Sequence, residues 1–116
     1  MAMHEILLEG MRIDTYLQKY EIFGKTKHHM MECLENWYGD DPERFQTDMR
    51  ADFRTVAETY QFREKIAAIG PNYRYKPPLK CLSASVDIFD GQGCYTATYT
   101  AFFAFDGNCF DDQLTT

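Results

Sequence analysis

The sequence has no apolar run approaching the ~20 residues that a membrane-spanning helix requires, so no membrane span is expected. It has no CxxC pair, no Gly-rich phosphate loop and no G-x-S-x-G elbow. Zinc-ribbon, dithiol, nucleotide-phosphate and serine-hydrolase chemistry therefore have no foothold. Basic residues are scarce beside acidic ones: 12 Lys and Arg against 18 Asp and Glu, a net charge of −6 and a pI near 4.9. Binding phosphates needs a basic face, so direct nucleic-acid contact is not expected. Histidine is limited to His4, His28 and His29, which leaves few imidazoles for a metal. No cofactor is implied.

What the chain does carry is aromatic surface: nine Phe, eight Tyr and one Trp in 116 residues. That is more ring than a small core needs, and it points to a contact surface or a wide cavity. The length suits one domain with one core, residues 1–116.

The clearest structural signal is residues 79–106. Leu82, Ala84, Val86 and Ile88 alternate with Ser83, Ser85 and Asp87. Beyond a turn, Tyr95, Ala97, Tyr99, Ala101, Phe103 and Phe105 alternate with Thr96, Thr98 and Thr100. Period two in β-forming residues predicts a half-buried antiparallel hairpin. Of the loops with the right parity, two or four residues, Gly91-Gln92 suits the two-residue turn. It would pair Ile88 with Tyr95, Val86 with Ala97, Ala84 with Tyr99 and Leu82 with Ala101, large against small. A register one residue off would bring Asp87 onto the apolar face. In that register Cys81 and Cys94 lie ~26 Å apart along the ladder, far beyond disulfide reach. With no secretory signal at the start of the sequence, all four cysteines read as free thiols and the protein as cytoplasmic.

A lone ribbon is marginal in water, so helices must cover it. The spacing predicts a helix over 11–23, stopped at Gly24, and a second over 27–38, capped by Thr26. Asp41-Pro42-Glu43 opens a third: cap, Pro at the first position, acid in the first turn. Phe45, Met49, Phe53, Val56 and Tyr60 continue at steps of three or four; the phase then slips, and Phe62, Ile66 and Ile69 carry the stripe onward, as one helix bent near Gln61 or as two helices that meet there. The predicted fold is α+β: about three to four N-terminal helices, residues 11–70, on one face of the hairpin. A linker (71–78) and an acidic tail (107–116) flank the strands. Residues 3–9 are a candidate third strand.

His28 and Glu32 share a helix face at i, i+4, with His29 and Cys33 on the next, which makes the first two weak metal candidates. A site needs three or four ligands, and HHxxEC is not HExxH. The adjacent acids Asp40-Asp41 and Asp111-Asp112 point apart and form no acid–base dyad.

Two functional expectations follow. In the first, the chain is a non-enzymatic, inhibitor-type protein that occludes a basic surface on a larger partner, with an oligomer compatible. Accessory and phage-borne inhibitors of host defence complexes are one such class, by analogy of size and charge. Its candidate contacts are Tyr73, Arg74, Tyr75, Phe89, Phe102 and Phe110, with the acids Asp87, Asp111 and Asp112. In the second, Tyr95, Tyr99, Phe103 and Phe105 line a small-molecule or enzymatic pocket between helices and a curved sheet.

Overall fold

The computed structural model describes the backbone at residues 7–8 and 11–116, and side chains from Arg12 onward. Two short strands, β1 (Leu7–Leu8) and β2 (Met11–Arg12), pair antiparallel in a sheet of their own. The expected third strand over 3–9 is thus not part of the main sheet where it is described. Its remaining residues, His4 among them, lie outside the described residues.

Four helices follow: α1 (Ile13–Lys19), α2 (Ile22–Asp40), α3 (Pro42–Met49) and α4 (Phe53–Thr59). The predicted stop at Gly24 and cap at Thr26 both fall inside α2. Thr26 is buried, and its hydroxyl donates to the Ile22 carbonyl at 2.7 Å, a bond within the helix. The start at Asp41 holds: its carboxylate accepts from the Arg44 N–H at 3.1 Å, with Pro42 in the first turn. The helix expected from Asp41 through Tyr60 is broken between Met49 and Phe53. Arg50 adopts a left-handed φ of 65° and ends α3, and Asp52 caps α4 by accepting from Thr55 at 2.8 Å. The stripe survives the break, because Phe45, Met49 and Val56 are all fully buried.

The rest is a four-stranded antiparallel meander: β3 (Gln61–Asn72), β4 (Leu79–Phe89), β5 (Tyr95–Phe103) and β6 (Cys109–Thr115), in that order. The hairpin is therefore the middle of a sheet. Residues 61–70 are strand, not helix, and the supposed acidic tail is an edge strand. Both corrections have the same physical cause. A ribbon of two strands buries too little to stand alone, and two more strands complete the apolar face.

The β4–β5 register differs from the expected one by two residues. Ile88 pairs with Ala97, Val86 with Tyr99, Ala84 with Ala101 and Leu82 with Phe103. The turn is a three-residue loop closed by Asp90 and Cys94, with Gly93 at φ 83°. That loop alone would invert the faces. A bulge at Thr96 restores them, since Phe89 pairs with Tyr95 and Ile88 with Ala97. The β5–β6 turn repeats the device, with Ala104 and Asn108 closing the loop, Gly107 at φ 89° and a bulge at Phe110, since Phe103 pairs with Cys109 and Phe102 with Asp111.

The face bearing Leu82, Ala84, Val86, Ile88, Ala97, Tyr99, Ala101 and Phe103 is fully buried beneath α2 and α3. Polar bonds fasten the helical layer at both ends of the sheet. Tyr16 donates to the Ala104 carbonyl and Lys25 to the Gly107 carbonyl, both at 2.9 Å. Arg50 donates to the Tyr95 carbonyl at 3.1 Å and the Thr96 hydroxyl at 3.0 Å.

The β4–β5 turn also carries a pH signature. The Asp90 carboxylate accepts from the Cys94 and Gln92 N–H groups at 2.9 Å each. These bonds, that from Cys94 foremost and with Arg50 nearby, hold it below the ordinary 3.8. A depressed folded pKa stabilises the fold above the unfolded value, and that stability is lost as pH falls through the folded value. Melting temperature should therefore fall between about pH 5 and pH 2, and Asp90→Asn should flatten part of that fall. Calorimetry across that range checks it, and an unchanged slope in the variant contradicts it.

Candidate functional site

Antiparallel sheets often leave one face to solvent. Here the face opposite the helices carries Ser83, Ser85, Thr98 and Thr100 at its centre. Short hydroxyl side chains keep this floor flat, and they are tied together. Ser85 and Thr100 share a bond of 2.8 Å, Thr98 donates to Asp87 at 2.6 Å, and Tyr95 and Thr98 hydroxyls lie 2.7 Å apart.

Rings stand at both ends of the floor. At one end the β3–β4 loop folds back onto β6. Tyr75 meets Phe110 edge to face at 5.9 Å, and Arg74 pairs with Asp111 at 2.8 Å. Phe102 lies opposite Asp111 on the neighbouring strand. Tyr73, Phe102, Asn72, Cys81 and Ser83 help to line a cleft of about 210 Å³ there. At the other end the Arg63 guanidinium lies 4.7 Å from the Phe89 ring centre, and Phe89 meets Tyr95 at 6.1 Å.

The structure thus gathers six candidate contacts, Tyr73, Arg74, Tyr75, Phe102, Phe110 and Asp111, from three separate stretches into one corner. Phe89 and Asp87 lie on the same face, farther along. Asp112 does not join them. Alternation along β6 turns it to the helical side, where it accepts from the Tyr99 hydroxyl at 2.6 Å. Burial, reinforced by that bond and the Asp112 charge, pushes the Tyr99 phenol far above its ordinary value. Asp111 and Asp112, the acids expected to meet a partner, each already bond within the chain, to Arg74 and to Tyr99.

Sequence reasoning missed three members of this face. Strict alternation puts Tyr95 on the covered side, yet the Thr96 bulge turns it outward. The helical spacing of Ile66 hides it in an expected helix, and Leu79 carries no signal of its own. Of the described residues, the exposed large apolar side chains are Tyr73 (75%), Ile66 (54%), Tyr95 (51%), Leu79 (42%) and Tyr75 (37%). All five lie on the uncovered face or in the loop at its end. The helical layer has none.

The residues proposed to line a pocket do not share one. Tyr99 and Phe103 are fully buried in the core and Tyr95 is on the opposite face. His28 and Glu32 engage each other at 2.6 Å on α2. Among the described residues no group of three His, Cys, Asp or Glu side chains is placed to hold a metal. Burial pushes the thiols of Cys33, Cys81 and Cys109 up, so they are weak nucleophiles. Among the described residues no helix is long and apolar enough to cross a membrane. Comparison with known protein families, with curated proteins and with solved structures finds no match to this chain.

Proposed function

We propose that this chain is a non-catalytic binding protein that docks a larger protein on the uncovered face of its sheet, and so occludes a surface of that partner. One observation carries the reading: every exposed large apolar side chain among the described residues lies on or beside that face. Tyrosines are suited to this role, since they offer wide contact area at low entropic cost and a polar tip. A flat hydroxyl floor between two sets of rings excludes no backbone and needs little rearrangement on docking.

Charge adds the class of partner. Residues 61–116 hold six acids and five bases, while residues 12–60 hold ten acids and seven bases. Of the excess acid in residues 12–116, most thus sits on the helical half. It steers a basic partner toward the molecule, while the near-neutral sheet supplies the anchors. Inhibition of a basic-surfaced assembly is the activity that fits this combination.

Reversing Asp111 or Asp112 is a poor test, because each change also breaks a bond within the chain. The sharper test captures partners from the native host with the full chain and identifies them by mass spectrometry. Tyr73→Ser combined with Tyr95→Ser should lower the yield of the captured basic protein at least about tenfold, the cost of losing two anchors. Glu35→Lys, on the exposed side of α2, should leave capture in place and lessen its sensitivity to salt. Capture untouched by the double change would remove the sheet face from the account.

A further inference from the structure

The sheet has two edges, β3 and β6. An edge strand offers unpaired N–H and C=O groups to any strand that approaches, and proteins guard edges with charge, proline, bulges or shortness. β6 is guarded: it has seven residues, a bulge beside Phe110 and the acids Asp111 and Asp112. Among the described residues β3 is guarded only at its ends. Arg63, Glu64 and the bulged Lys65 protect its start, and Pro71 its finish. Between them Ile66-Ala67-Ala68-Ile69-Gly70 carries no charge, and more than half of Ile66 is exposed.

We propose that a second copy of this chain adds its own β3 antiparallel to this edge, about a two-fold axis at Ala67. The two four-stranded sheets then become one continuous sheet.

Three observations favour a copy of this chain and select that register. Strand pairing must match covered face with covered face. With the axis at Ala67, Ala67 meets its own copy on the covered side, and Ile66 meets Ala68 on the open side. The bulge at Lys65 then sets Glu64 opposite Ile69 and Arg63 opposite Gly70. Each charged third of the strand thus faces an uncharged third, no like charges meet, and no two large side chains collide. The last observation is Asn72. Its side-chain carbonyl accepts from the Arg74 N–H at 3.0 Å, near the end of the strand. This register places Gln61 of the second copy opposite Asn72, amide against amide, whereas moving the axis to Ala68 would set the Arg63 charge there instead.

Sedimentation of the full chain across a concentration series tests the proposal. A dimer should form with a dissociation constant in the micromolar range, about 1–100 μM. Ile66→Lys, at an exposed site, should raise that constant at least about tenfold. The register has its own readout. In a Cys94→Ser background, Ala67→Cys should oxidise to a covalent dimer, because directly opposed strand positions bring Cβ atoms within disulfide reach. Ala68→Cys in the same background should not. A wild-type monomer at about 500 μM would overturn the dimer. Cross-linking through Ala68→Cys but not Ala67→Cys would overturn the register.

Discussion

Gly107→Ala should cost roughly 2–5 kcal/mol, most of the stability of a marginal domain, whereas Gly93→Ala should cost only ~1–2 kcal/mol. The two glycines occupy the same left-handed position in two turns of the same kind, at φ 89° and 83°. Any L side chain is strained there. What separates them is the space around the Cα. A Cβ on Gly93 would meet nothing within 4 Å, while one on Gly107 would lie 2.4 Å from Tyr20 Cδ1 and 2.7 Å from Cγ. The Tyr20 ring cannot retreat freely. It packs against Tyr16 at 4.8 Å, and the Lys25 ammonium lies 5.7 Å from its centre. Lys25 is itself bonded to the Gly107 carbonyl. The β5–β6 turn therefore docks on the α1–α2 corner through the missing side chain. Urea unfolding of both variants measures the difference. Equal losses would mean that backbone strain alone matters and that the close approach is not real.

Phe45→Ala should cost about 3–5 kcal/mol, the usual range for emptying a fully buried aromatic site. Phe45 is the hub of the helical layer. Its ring meets Trp37 at 4.9 Å, Tyr38 at 5.2 Å and Phe53 at 6.4 Å, so it joins α2, α3 and α4. Edge-to-face pairs add to the area term, about 0.5–1.5 kcal/mol for each good one. For a domain of this size the melting temperature should drop by ~10 °C or more. Trp37, the only tryptophan, reports the change by its own fluorescence. A loss under ~1 kcal/mol would show that α3 is held by other means.

The central hairpin was legible because it is two-faced: alternation in β4 and β5 assigns Val86, Tyr99 and their neighbours to the core without any tertiary information. The four-stranded sheet was not, and the reason lies in β3. Its bulge at Lys65 inserts one residue, so that Phe62, Ile66 and Ile69 fall at helical steps although only Phe62 and Ile69 face the helices. An edge strand under no pressure to alternate strictly thus imitates the end of a helix. β6 was hidden by its charge, since Asp111-Asp112 reads as tail. One cue was present: Asp106-Gly107-Asn108 resembles the first hairpin turn and announces a second hairpin. The split between α3 and α4 left the apolar stripe in phase, and only the Asp52 cap marks it. The aromatic contact residues were nominated from composition. Their assembly in one corner depends on the fold-back of the β3–β4 loop, which no local pattern encodes. Tyr95 was placed on the wrong face for a parity reason, because a bulge at Thr96 cannot be counted before the turn is known.

Hydroxyl-radical footprinting of the dilute protein, read residue by residue by mass spectrometry, tests most directly whether one side of the sheet is bare and the other roofed by helices. Tyr73, Tyr75 and Tyr95 should oxidise at rates near those of free tyrosine. Tyr99, Phe103 and Phe45 should be protected by at least about tenfold, as fits side chains wholly removed from water. Oxidation of Tyr99 as fast as Tyr95, or protection of Tyr73 and Tyr95 to the level of Tyr99, would contradict the arrangement on which the binding surface rests.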